Sequence, residues 1–185
     1  MKKLIFLLLF IPIICFSQNI RNVKFGDTKE QVKSIESSSL INDLDNVVIY
    51  KCDIIGLKYW LSYLFVDNKL NSVFYRLKQE YDNDNFYITD YYWIKDLLSK
   101  KYGYPVKDEE IWKDETAKGM KQYYGLAISS GAAIFKTRWV NDSIDVTLEI
   151  KGDDSKIITT IGYYPVYRPK EFYYSEDDKK AMNEL

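Results

Sequence analysis

Residues 143–151, SIDVTLEIK, alternate without a break: Ile144, Val146, Leu148 and Ile150 against Asp145, Thr147, Glu149 and Lys151. A repeat of two puts the four apolar side chains on one side of an extended strand, which describes a half-buried antiparallel strand. The flanking runs fit the same ladder. AIFKTRWV (133–140) sets Phe135 and Trp139 against Lys136 and Arg138, and NDS joins it to the central run. KIITTIGYY (156–164) follows after GDDS. Strand-like runs separated by short Asp, Asn, Ser and Gly turns give a meander. In that setting Asp153 and Asp154 read as turn residues rather than metal ligands.

The same texture occurs near the amino end, in NVVIYKCDI (46–54), LKYWLSYLFV (57–66) and LNSVFYRLK (70–78), punctuated by Gly56 and DNK. In 57–66 both alternating sets are apolar, so this strand belongs inside a sheet or under cover on both faces. A helix precedes each meander. In NVKFGDTKEQVKSIES (22–37), Gly26 permits a turn, and TKEQ and DTKE each fit a capping box. Val32 and Ile35 face the core, while Asp27 and Glu30 read as cap and first-turn charges rather than catalytic acids. In NFYITDYYWIKDLLSKKYGYP (85–105), Tyr91, Ile94, Leu98 and Tyr102 form a stripe that ends at Lys100, Lys101, Gly103 and Pro105. The acidic run before it fails as a calcium loop, because Phe86, Tyr87 and Trp93 stand where ligands and glycine belong. Residues 106–131 read as a charged loop with a helical turn in YYGLAISSG. Adjacent Glu109 and Glu110 diverge on any regular backbone. The expected fold class is α+β: two α-β-β-β units, about 22–80 and 84–164, forming an antiparallel sheet with helices packed on one face.

Three segments carry a family likeness: FGDTKEQV at the first helix, LLSKKYGYP closing the second, and RWVNDSIDVTLEI feeding the last meander. With the order of elements over most of 22–164, they resemble the tandem helix-plus-meander fold of beta-lactamase-inhibitory protein and of the small outer-membrane assembly lipoprotein domain. The resemblance implies a binding or scaffold protein rather than an enzyme. The inhibitor's disulfides and the assembly protein's lipidated cysteine have no counterpart here.

MKKLIFLLLFIPIICFS (1–17) has the charged, apolar and small-residue order of a secretory signal, with cleavage expected after Ser17. Its apolar run is shorter than the ~20 residues that span a bilayer, and Pro12 interrupts it. Lipidation at Cys15 is the alternative, and bulky Ile14 speaks against it. Loss of Lys2 and Lys3 leaves 24 basic residues against 27 acidic, a net charge of about −3. That balance gives no reason to expect nucleic acid or an anionic membrane as partner. No stable membrane span is expected after signal removal. Cys52 stands alone in the mature chain, so it reads as a small buried hydrophobe with no intramolecular disulfide. The chain has no histidine, which removes histidine triads, the common zinc sites and imidazole acid–base chemistry. No cofactor is expected. NDS (141–143) also matches the N-glycosylation sequon, and DSI a bacterial O-glycosylation pattern.

The expected organisation is a single domain over 18–168 and a charged tail over 169–185. YYPVYRPKEFYY (163–174) places six aromatics around two prolines and two basic residues. It reads either as a strap along the sheet or as an exposed patch, with Tyr167, Phe172 and Tyr173 as binding residues. The functional expectation is a secreted or periplasmic, non-enzymatic binding module whose partner is another envelope protein or a glycan. The alternative is a carboxylate-based glycan hydrolase using Asp53, Glu149 and Glu80, which needs two acids facing each other at ~5 to 10 Å.

Overall fold

A computed structural model describes residues 20–166. The signal-like segment 1–17, Tyr167, Phe172, Tyr173 and the charged tail lie outside the described residues.

The fold is α+β, dominated by one eight-stranded antiparallel sheet. Helix α1 (Lys29–Ile35) leads into β1 (Ser39–Leu44), β2 (Val47–Ile54), β3 (Leu57–Val66) and β4 (Lys69–Leu77). Helix α2 (Asn85–Tyr102) leads into β5 (Lys107–Trp112), helix α3 (Tyr124–Ser129), β6 (Ala133–Val140), β7 (Ile144–Asp153) and β8 (Lys156–Pro165). The order across the sheet is β1-β2-β3-β4-β8-β7-β6-β5, so the last strands of the two meanders meet in the middle.

Each meander has four strands, not the three expected from sequence, and the supposed loop 106–131 contains β5, two 3-10 turns and α3. The two unforeseen strands are the sheet's edges. All six residues of β1 are exposed, and none of KDEEIW in β5 is fully buried. An edge strand need not bury alternate side chains, so it leaves no period-two signal; the charges of β5 also discourage pairing with another sheet, whereas β1 exposes Leu40, Ile41 and Leu44.

Helix α1 starts as TKEQ specifies. Gln31 donates its backbone N–H to the Thr28 side chain, and the Gln31 side chain accepts from Thr28 N–H at 2.7 Å. Asp27 accepts from the backbone of Lys24, and Glu30 accepts from Asn68. Both acids therefore have structural partners. Only Val32 is buried; Ile35, expected in the core, is 42% exposed because so short a helix turns only one residue squarely onto the sheet. Helix α2 buries Ile88, Tyr91, Ile94 and Leu98 and ends at Gly103 with φ 87°.

Register fixes the two faces. Tyr50, Leu61, Tyr75, Ile161, Leu148, Thr137 and Asp108 lie opposite one another in turn across seven strands. That side meets the helices: Tyr91 packs on Phe135 and its hydroxyl bonds Thr137 at 2.8 Å, and Tyr124 packs on Phe135. Leu61, Tyr63, Val73, Phe135, Trp139, Val146, Leu148 and Ile150 are essentially fully buried there, in one core that crosses both meanders. Burial of each such side chain stabilises by roughly 1.5–3 kcal/mol. Strand β3, apolar on both sides, is third of eight and interior as expected.

Candidate functional site

The opposite face has no helix against it among the described residues. One row across it reads Ser39, Lys51, Trp60, Arg76, Thr160, Glu149, Lys136 and Glu109. The strand residues of this face include nine cations (Lys51, Lys58, Lys69, Arg76, Lys107, Lys136, Arg138, Lys151, Lys156) and five carboxylates (Asp53, Glu109, Asp145, Glu149, Asp153). The whole chain carries 26 basic and 27 acidic residues. The open face is thus positive on a chain that is not.

The charge is unevenly neutralised. Over β5–β7, Glu149 takes Lys136 at 2.6 Å and Lys151 at 2.8 Å, and Arg138 grips Asp145 with two bonds of 3.0 and 2.8 Å. Asp145, expected to face water, lies on the open side but is buried beneath Arg138. Over β2–β4 the acids thin out. Trp60 is 39% exposed, and Lys78, just past β4, holds Nζ 4.0 Å from its ring centroid. Lys51, Lys58 and Arg76 surround this pair on the same face. Beside them Phe74 and Tyr164 meet edge to face at 5.5 Å, and the Tyr164 ring lies over Gly162, where a Cβ would fall 2.9 Å from it. The result is a cationic, aromatic patch bordered by a zipped charge ladder.

The three carboxylates expected for hydrolysis are not brought together. Asp53 is on β2 and Glu149 on β7, four strand steps apart, or roughly 19 Å at ~4.8 Å per step. Burial acts to raise the Glu149 pKa, but its lysine bonds outweigh that and hold it below the usual carboxylate range, the wrong direction for a proton donor. Glu80 is exposed and lies beyond the end of β4, not on a strand. No group of three or more Cys, Asp or Glu capable of holding a metal ion occurs among the described residues, and no described helix is long and apolar enough to cross a membrane.

A second candidate lies on the helical side. A pocket of about 260 Å³ opens between α2, the β2–β3 turn and the amino-terminal turn 20–23. Ile54, Ile94, Leu98 and Ile161 line it together with Tyr59, Tyr75, Tyr102 and Tyr163. Sequence reading placed Tyr59 on an apolar strand face, Tyr102 on the helical stripe and Tyr163 in the aromatic segment 163–174, and no local pattern marks a cavity among them. Beside the pocket Arg21 donates to both Glu36 carboxylate oxygens at 3.1 Å and to Ser38, and Tyr63 donates to Glu36 at 2.5 Å. The Glu36 side chain is 1% exposed. Burial pushes its pKa up, but the bonds from Tyr63, Ser38 and Arg21 more than reverse this. Two of the lining residues have left-handed backbones: Arg21 at φ 53° and Ile55 at φ 49°. For a β-branched residue this conformation is a true outlier, costing about 1–2 kcal/mol.

Comparison of the chain with protein-family models, with curated proteins and with solved structures returns no match.

Proposed function

We propose that this is an exported, non-catalytic binding module whose open sheet face docks an acidic protein of the cell envelope. The observation that carries the reading is the charge asymmetry: nine cations against five carboxylates on the face without helices, in a chain whose overall balance is −1. Opposite charge on a partner would steer and orient the encounter. Trp60, Phe74 and Tyr164 supply the apolar, aromatic contacts that dominate such interfaces. Eight strands at ~4.8 Å and about eight residues each give a face of roughly 900 Å², close to the ~800 Å² a stable complex buries on each partner. The helix-plus-meander plan, with its likeness to inhibitory and assembly proteins, supports the same reading, as does the signal-like segment 1–17. Within it, Tyr167, Phe172 and Tyr173 are proposed to extend the contact surface.

A photo-crosslinking amino acid placed at Trp60, and separately at Tyr92 on the helical side, tests the proposal in the native envelope. The position-60 protein should form one adduct with an acidic protein, and Lys58→Glu/Arg76→Glu should abolish it with the circular dichroism unchanged. An adduct from position 92 alone, a glycan adduct, or no adduct from position 60 would each overturn it.

A further inference from the structure

The tyrosine-lined pocket is on the side of the sheet away from the proposed docking face, and its role does not depend on that reading. Its walls are hydrocarbon, from Ile54, Ile94, Leu97, Leu98 and Ile161, and no carboxylate lines it. Its floor is polar. Tyr59 and Tyr75 rise from β3 and β4, 2% and 5% exposed, and neither hydroxyl has a hydrogen-bond partner among the described residues. Both hydroxyls, on the pocket wall and without such a partner, are free to donate to an acceptor that enters it. Burial raises both phenols above their ordinary range, which keeps them protonated and donating.

Positive charge stands beside these donors. Glu36 and Ser38 occupy the Nε and Nη2 donors of Arg21, and Nη1 has no partner among the described residues. Lys101 lines the same pocket, with Nζ 5.0 Å from the Tyr102 ring centroid. Backbone strain points to the same place. Ile55 occupies the first position of a two-residue hairpin turn with Gly56, where asparagine or glycine adopts positive φ readily. Yet the side chain is 56% exposed at the pocket, so neither the turn nor the core accounts for an isoleucine there. Strain kept without structural benefit collects at ligand sites.

We propose that this pocket binds a small amphipathic carboxylate, its alkyl chain among Ile54, Ile55, Ile94 and Leu98 and its carboxylate accepting from Tyr75 and facing Arg21. At ~30 Å³ for each water-sized group, the cavity has room for roughly nine heavy atoms, so a chain of about eight carbons fills it and the end of a ten-carbon chain such as decanoate reaches the open mouth.

Calorimetric titration of the full chain with decanoate, decanol and acetate tests this. Decanoate should bind one to one, with decanol at least about tenfold weaker and acetate silent. Tyr75→Phe, which keeps the ring, should weaken decanoate about tenfold, and Leu98→Trp should block it. Ile55→Asn is the discriminating variant: it should weaken binding while leaving the melting temperature unchanged or raising it. Silence at millimolar decanoate, decanol binding as tightly as decanoate, or Tyr75→Phe and Ile55→Asn both binding like wild type would overturn the proposal. Nuclear Overhauser contacts from residues 167–174 to Tyr59 or Tyr75 would also overturn it, by giving the pocket to the chain itself.

Discussion

Glu36 shows how one side chain ties the amino-terminal turn to the sheet. It is buried, ionised, and bonded to Arg21, Ser38 and Tyr63, which come from three separate parts of the chain. Because its folded-state pKa is lowered, its contribution is fully present above the ordinary carboxylate range and is lost as pH falls through the folded value. Glu36→Gln removes the charge and leaves Arg21 without its counter-ion. We expect a loss on the order of 3 kcal/mol at neutral pH and a flatter decline on acidification, read from urea midpoints between pH 3 and 7. Equal pH slopes for wild type and variant would remove Glu36 from the account of acid unfolding. Cys52 offers a simpler check at the same scale. It is 7% exposed, and burial raises its thiol pKa. An aromatic disulfide reagent should leave it untouched in the folded protein and titrate it in denaturant.

Among the elements, α3 depends on an absent side chain. Gly152 on β7 faces it, and a Cβ there would stand 2.1 Å from the carbonyl oxygen of Ile128 and 2.8 Å from that of Ser129. Backbone lies against backbone, so nothing flexible can yield. Gly152→Ala should cost on the order of 3 kcal/mol and expose Ile128 and Ala127, which hydrogen exchange would locate in α3 and β7. Uniform protection in the alanine variant would show that α3 can shift without loss. This contact could not be read from sequence, where GDDS signals only a turn. What could be read was local or periodic: the Thr28–Gln31 box closes within one helical turn, and β7 repeats every two residues. Strands β1 and β5 were missed because an edge imposes no such repeat. The charge of the open face was hidden for another reason. Lys51, Arg76 and Lys136 come from three strands, and only the register places them in one row. The pocket tyrosines likewise come from separate strands and α2, and only the fold brings them together around one cavity.

For the molecule as a whole, the decisive place is the seam between the meanders. Strands β4 and β8 share four residue pairs, from Val73–Tyr163 to Arg76–Thr160, against ten between β7 and β8. Backbone bonds alone would make this the sheet's easiest fracture. Side chains reinforce it on both faces: Tyr75 meets Tyr163 at 5.7 Å on the helical side, and Phe74 meets Tyr164 at 5.5 Å on the open side. Tyr102 of α2 closes over Tyr163 at 6.5 Å, so the second meander's helix also clamps the join. Since the core is continuous across the seam, the halves should unfold together, and the seam should set the stability of both. Tyr163→Ala removes the ring common to two of these contacts. A cost of about 3–5 kcal/mol should lower the melting temperature by about 10 °C while calorimetry still records one transition. Two resolved transitions in the wild-type protein, or a Tyr163→Ala variant that melts in one half only, would mean that each meander carries its own stability and that the aromatic seam merely joins them.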